Sequence, residues 1–498
     1  MPSLHLPARP DLDHLKGQAH SLQLRVRAGE ADALGIVRAW HPRPSVADAP
    51  ATFRRTDAQL VVARRYGFAS WPALRRHVAV VLEFGRSPHQ RAGLATDAGG
   101  TADDLLRLGC LLYGGDDLDR HRQANALLAR RPELAGATAW TAAAVGDVVA
   151  LGAILAADRG AASRAGGPFD WAPLLYLAYS RIDAAPRRSE GDQPDPVAAA
   201  RLLLAHGADP NAGYLWDGIY PFTALTGVLG GGEDKTNQPP HRHALALARV
   251  LLESGADPND SQALYNRQFE PDDSHLRLLV EFGLGTDRRG PWHARLASAH
   301  GTPARLLEDQ LLVAAWEDRP SWARLALAAG ADPDGRGTRH PQHLGLTPIA
   351  LALRRGNLEV AELLRRAGAT PPPPDPVEAF LTACLGGDGD EAQRLLADDP
   401  AVLAAARARR PEAVLAATAM RRPAAVRLLA SLGFDVNVPA RITPLHQAAY
   451  EGDADLVRCL LELGADPSAR EPRFNATPLG WAEHARRDAV IDLLRTSD

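Results

Sequence analysis

Four copies of one tetrapeptide, Gly-Ala-Asp-Pro, constrain this chain more than any other feature. They start at Gly207, Gly255, Gly330 and Gly464, and each directly follows an apolar, helix-forming stretch: ARLLLAH, ARVLLES, ARLALAA and RCLLEL. Degenerate copies stand at Gly283 (GLGTD), Gly368 (GAT) and Gly433 (GFDVN). A glycine directly after a helical run reads as a left-handed stop, and Asp-Pro beyond it as a turn that leads the chain away. Recurrence of the whole arrangement means one supersecondary unit reused, with apolar faces buried by stacking on neighbours. At 498 residues the chain is in any case too long for one compact core.

The clearest unit, TPLHQAAYEGDADLVRCLLELGADPSAR, starts at Thr443. Thr443 can cap a helix through its hydroxyl, and Pro444 falls in the first turn, where a missing N–H is not needed. Leu445 and the small Ala448 and Ala449 give a short helix whose face admits a close neighbour. Gly452 ends that helix in the left-handed conformation, which costs a residue with a Cβ roughly 1–2 kcal/mol. Leu456, Val457, Leu460 and Leu461 then recur at helical spacing along a second helix. Gly464 caps it, Asp466-Pro467 turns the chain outward, and the motif restarts at Thr477-Pro478-Leu479, one period of 34 residues after Thr443.

This pattern resembles the ankyrin repeat, with its period of about 33 residues and TPLH-type helix start. The resemblance implies an all-α fold with short β-hairpin fingers, a solenoid of about ten or eleven helix-turn-helix units. It also implies a hydrogen bond between Thr443 and His446 that stiffens the repeat, which gives His446 a structural role. A second strong copy starts at Thr347-Pro348, with Ala350 in place of the histidine. FTALTGVLGG from Phe222 is a weaker copy whose second helix arrives only after an insertion. Segments near 105–135, 137–165, 172–211, 261–287, 311–334, 377–404 and 410–437 keep the paired-helix rhythm without the motif.

The expected organisation is a helical N-terminal module or cap over 1–90, a Gly/Ala linker over 91–101, and divergent repeats over 102–370. A Pro-rich break over 371–376 (PPPPDP) follows, then a C-terminal stack over 377–498. Consecutive prolines can neither continue a helix nor join a ladder, so the break is expected to divide the array. The Gly/Pro-rich insertion at 228–243 is expected to project from it. Within the N-terminal module, TDAQLVVARRYGFASWPALRRHVAVVLEF reads as helix, turn at Gly67, and a helix capped by Ser70 with Pro72 just inside. The module resembles a helical leader found before ankyrin arrays in bacterial proteins.

Charge separates two readings of that module. Residues 1–90 hold thirteen Lys/Arg against seven Asp/Glu, whereas the whole chain carries −4. A cap that covers the first repeat's apolar face would put these basic residues on its solvent side. Helix-turn-helix with positive charge also fits DNA contact, which makes a nucleic-acid-associated regulator the alternative function. The charge of the whole chain gives no general attraction to nucleic acid or an anionic membrane. The basic residues are Arg except for Lys16 and Lys235, a bias that a GC-rich coding sequence explains.

Chemistry is sparse. Cys110, Cys384 and Cys459 form no CxxC pair and sit in apolar helical contexts, so they read as buried thiols. With no apolar leader and no run long enough to span a bilayer, the cytoplasm is the expected compartment and a monomer the expected state. His241-x-His243 and His340-x-x-His343 could each offer two metal ligands, but a site needs three or four, and solvated loop histidines are the expectation. GGGEDKT at Gly230 lacks the glycine before Lys235 that a phosphate loop needs. No catalytic residue, cofactor or metal is therefore expected.

What remains is protein binding by a non-catalytic scaffold or adaptor. The resemblance implies that fingers and first-helix faces make the contacts, and buried aromatic and Arg side chains dominate interface energetics. In a chain where aromatics are 5% of residues, Tyr214, Trp216, Tyr220 and Phe222 cluster in one finger. Tyr450 and Trp481 on first-helix faces, and Arg441 and Arg473 in the last two fingers, complete the candidate contacts.

Overall fold

A two-residue device, glycine followed by aspartate, makes three of the helix pairs among the described residues. Gly146, Gly387 and Gly452 end a first helix in the left-handed conformation. The following Asp147, Asp388 and Asp453 cap the second helix by accepting from the backbone N–H three residues on. Only a residue without a Cβ makes that stop freely, and the carboxylate then satisfies a donor that the new helix leaves open. Where the glycine is missing, Asp318, Arg421 and Arg486 take positive φ of 53 to 55° in the same position.

The computed structural model describes residues 4–93, 101–183, 193–288, 290–296, 301–438 and 441–495. Most of the expected linker, 94–100, lies outside them. The chain divides into two compact units, Met1–Pro303 and Ala304–Asp498. That division falls before the proline run rather than at it. The run lies inside the second unit, where the first helices of the repeats before and after it, Pro348–Arg355 and Pro376–Gly386, pack on each other. Asp375, the last residue before that second helix, caps it and holds Arg409 at 2.6 Å.

In the first unit, helices Leu12–Arg27, Ala31–Trp40, Arg55–Arg65 and Trp71–Phe84 enclose a core of Leu15, Val26, Val37, Phe53, Val61 and Leu74. Ser70 caps the last of these by accepting from Ala73 N, after a turn at Gly67 with φ +87°. Helix pairs then follow: Ala102–Gly109 with Leu118–Arg130, Ala139–Val145 with Val148–Ala157, and Pro173–Tyr179 with Pro196–Ala205. Ala224–Leu229 with Ala244–Glu253, and Ser261–Arg267 with Ser274–Glu281, continue the series. First helices pack on first helices in order, and from Val148–Ala157 onward second helices pack on second helices. This is the stacking that the repeated sequence demands.

One finger of this unit is a true hairpin. Strands Gly213–Trp216 and Tyr220–Thr223 pair antiparallel through a turn with positive φ at Asp217 and Gly218. Gly85–Arg86, at the end of the N-terminal module, joins them as a third, parallel strand. The insertion beside it folds back instead of projecting as expected. Gly231 N donates to Gln238 O at 2.8 Å, and His241 N to Val228 O at 3.0 Å. Gly230, Gly231 and Gly232 all take positive φ, and a Cβ at Gly231 would sit 2.6 Å from the Asn266 carbonyl. Residues 233–236 are exposed, as are Pro240, Arg242 and His243, while Gln238 and His241 are buried.

The second unit repeats the same arrangement. Its pairs are Pro303–Glu317 with Pro320–Ala328, Pro348–Arg355 with Leu358–Arg366, and Pro376–Gly386 with Gly389–Asp398. Ala413–Ala419 with Pro423–Ser431, Pro444–Glu451 with Ala454–Glu462, and Pro478–His484 with Asp488–Arg495 complete it. An additional helix, Ala401–Arg409, packs on Pro376–Gly386. From Phe380 to Leu494 the core is one continuous cluster, rich in Ala, Val and Leu.

Candidate interaction surface

The last two repeats of the second unit build a surface around one hydrogen-bonded path. Thr443 accepts from His446 N, and its hydroxyl lies 2.8 Å from His446 Nδ1. His446 Nε2 lies 3.1 Å from the Ala476 carbonyl in the next finger. A neutral imidazole satisfies both contacts: Nε2–H donates to the carbonyl and Nδ1 accepts from the hydroxyl. Burial, the leading influence, holds the His446 pKa below its ordinary value, in keeping with that neutral form. The TPLH residues thus lock one helix to the finger that follows it.

That finger is closed by Glu471, which sequence reasoning missed. Its carboxylate is buried and accepts from Arg473 N at 2.7 Å, Phe474 N at 2.6 Å and Ala476 N at 3.4 Å. Burial pulls the carboxyl pKa up, but the three backbone donors outweigh it and hold it below the usual glutamate value. Glu471 N donates to Ala476 O, Asn475 N to Glu471 O, and Arg470 Nη1 to Asn475 O at 2.7 Å. Asn475 takes φ +54°, a conformation that asparagine tolerates better than most residues. The turn presents Phe474, which at 67% is the most exposed large apolar side chain of the described residues. The Arg473 guanidinium lies 4.9 Å from the Phe474 ring centroid.

Beside the finger, Tyr450 and Trp481 meet edge to face at 5.7 Å, and Trp481 meets His446 at the same distance. Tyr450 is 42% exposed. Arg441 is exposed in the preceding finger. Neither Arg441 nor Arg473 has a carboxylate partner among the described residues. The structure therefore leaves three of the C-terminal candidates, Arg441, Tyr450 and Arg473, exposed and the fourth, Trp481, half-buried, and it adds Phe474.

The aromatic finger of the first unit is different. Tyr214 and Phe222 are buried, at 2% and 3% exposure, and cannot meet a partner directly. Tyr214 stacks on Trp171 at 5.0 Å, and Phe222 meets Tyr113 edge to face at 4.7 Å. Trp216 is half-buried: its Nε1 donates to the Leu112 carbonyl at 3.0 Å and its ring lies 5.1 Å from His89. Ser87 Oγ donates to Asp217 at 2.8 Å, so the N-terminal module already occupies this finger. Tyr220 alone of the four remains exposed, at 50%.

Other chemistry is spent internally. His241 and His343 are buried rather than solvated, and burial lowers their pKa values to about 2 and about 4. His241 Nδ1 accepts from His243 N at 3.0 Å. No three His, Cys, Asp or Glu residues among those described lie together as metal ligands do. The thiols of Cys110, Cys384 and Cys459 are all buried. In the N-terminal module, Lys16, Arg25 and Arg38 pair with Asp13, Glu30 and Asp48 at 2.7, 2.5 and 3.1 Å. No helix among the described residues is long and apolar enough to cross a membrane.

Comparison with known proteins finds a family match that includes Arg441 and Tyr450. Residues 440–472 match the ankyrin repeat family. A stretch of 54 residues is 50% identical to Serine/threonine-protein kinase VIK of Arabidopsis thaliana, covering 11% of this chain and 12% of that protein. A stretch of 71 residues is 41% identical to Palmitoyltransferase Hip14 of Drosophila melanogaster, covering 14% of this chain and 11% of that protein. The chain thus matches only about an eighth of the length of these curated relatives. The matched length is that of one or two repeats.

Proposed function

We propose that this protein is a non-catalytic scaffold or adaptor that binds a partner protein through the fingers and first-helix faces of its C-terminal repeats. About ten or eleven ankyrin-type units over 102–498 form the array in this reading. The observation that carries it is the set of exposed Arg441, Tyr450, Arg473 and Phe474 with half-buried Trp481, on and just after the ankyrin-matched residues, with Arg473 and Phe474 held by the Glu471 turn. Ankyrin repeats generally mediate protein–protein contact. Aromatic and Arg side chains fixed on a rigid frame lose little entropy on binding and become strong anchors once buried.

Affinity capture from lysate of the source cells, with the full chain as bait, tests this reading. Wild type should retain a defined protein that the Tyr450→Ala/Trp481→Ala variant loses, while both keep the same helical circular dichroism. Equal capture by the two, or capture of nothing specific by either, would overturn the placement of binding at these repeats.

A further inference from the structure

We infer that the partner presents an acidic segment, whose carboxylates meet Arg473 and Arg441 and whose apolar side chain covers Phe474. The inference rests on the protein-binding reading above and specifies the chemistry of its partner. Three observations support it. First, the carboxylates of these fingers are already used: Asp466 accepts from Ser468 N at 2.8 Å and Ser468 Oγ at 2.7 Å, and Glu471 closes its turn. Asp435 accepts from Asn437 N at 2.8 Å. The guanidiniums of Arg441 and Arg473, by contrast, are exposed and have no carboxylate partner among the described residues, so they are the charged groups of these fingers still available to pair with a carboxylate.

Second, the tip is preorganised. Four backbone hydrogen bonds to Glu471 fix the conformation that projects Phe474, so presenting the ring to a partner requires no further ordering. Third, the Arg473 guanidinium lies over the Phe474 ring at 4.9 Å, which puts a group suited to bidentate pairing with a carboxylate beside the exposed apolar side chain. A nucleic acid fits less well. It would need a run of phosphate contacts, and Arg470 is tied to the Asn475 carbonyl within the turn.

A phage-displayed library of random dodecapeptides, selected on the immobilised full chain, tests this. The expected result is enrichment of peptides that combine Asp or Glu with a large apolar residue. Phe474→Ala and Arg473→Ala, both changes at exposed side chains, should weaken the selected peptides by about tenfold or more. Enrichment of basic or uncharged peptides would overturn the acidic partner while leaving the binding reading in place. So would acidic peptides indifferent to both substitutions. No enrichment at all, together with lysate capture that depends on Tyr450 and Trp481, likewise rejects only the acidic chemistry. If lysate capture fails as well, the binding reading itself falls. Steeply salt-dependent binding of a thymidine oligomer, with no peptide selected, would replace this inference with nucleic-acid contact.

Discussion

Asn437 holds Asp466 of the following finger in a two-point clasp. Its side-chain oxygen accepts from Asp466 N at 2.8 Å, and its amide donates to the Gly464 carbonyl at 2.9 Å. Asn211 makes the same pair of contacts with Asp257 N and the Gly255 carbonyl, at 2.9 and 3.0 Å. Asp334 does a related job by accepting from Thr370 N and Thr370 Oγ1. In these three places the residue after Gly-Ala-Asp-Pro, or in its place in GFDVN, therefore stitches one finger to the next, and it does so in both units.

Asn437→Ala should remove both bonds and destabilise the C-terminal repeats by about 1–2 kcal/mol. Hydrogen exchange of the backbone over 464–476 should quicken, while exchange in the helices of the first unit stays as in wild type. Unchanged protection of Asp466 would show that the finger holds its place without the clasp.

The glycines make a sharper comparison. A Cβ at Gly464 would meet nothing within 4 Å, so Gly464→Ala tests backbone conformation alone at φ +86° and should cost about 1 kcal/mol. A Cβ at Gly356, φ +68°, would lie 2.4 Å from Gly386 N and 2.5 Å from Leu385 C, both backbone atoms of the next repeat. Gly356→Ala should therefore be much the worse, by several kcal/mol on the pattern of overpacked cores. Urea midpoints of the two variants, compared with wild type, decide it; equal shifts would mean that the repeats separate easily at Gly356. Arg486, which takes φ +55° with no ion pair among the described residues, offers the converse, since Arg486→Gly relieves strain.

Why some of this was legible in sequence and some was not follows from the range of the interactions. Thr443, Pro444, Gly452, Gly464 and Thr477 act through their own backbone or a neighbour three or four residues away, so their roles can be read locally. The hydrogen bond from Thr443 to His446 was available only through the family resemblance. Tyr214 and Phe222 stood out as aromatic, but what covers them lies far off in the chain: residues 85–89 pair with this finger, and Tyr113 packs on Phe222. Local spacing carries no signal for that. Glu471 and Phe474 were missed because a glutamate in a polar finger looks solvated until the turn has formed. The available hint was an apolar ring in a stretch of Arg, Asn and Pro with nothing nearby to bury it.

Arg181 is a buried charge whose partners are main-chain carbonyls. Its guanidinium donates to four carbonyls: Pro239 and Gly227 at 2.7 and 2.8 Å, Ser180 at 2.7 Å and Ala178 at 3.2 Å. It thereby ties the folded-back insertion to the first helices Pro173–Tyr179 and Ala224–Leu229. Arg181→Met keeps much of the volume but leaves these acceptors unpaired, and the loss should be at least about 3 kcal/mol. Arg181→Lys should recover little, because one ammonium cannot reach acceptors arranged for a planar fork. Thermal unfolding followed by tryptophan fluorescence would measure both; a lysine variant as stable as wild type would mean that water completes the network.

Acid should weaken the first unit through its buried histidines. His121 is held to a pKa of about 4, first by burial and then by the nearby Arg181 and Arg120. A histidine whose folded pKa lies below its unfolded value of 6.5 binds protons more readily when unfolded. Its contribution to stability is complete above pH 6.5 and is lost as pH falls from there toward 4. Asp260 acts in the opposite sense, since burial raises its pKa, so the raw pH profile mixes the two. The difference between wild type and His121→Leu isolates the histidine. Between roughly pH 6.5 and pH 5, wild type should lose stability relative to that variant by about 1.4 kcal/mol per pH unit. Urea unfolding at neutral and mildly acid pH gives the two slopes, and parallel slopes would mean that His121 is already protonated, or reached by water, in the folded state.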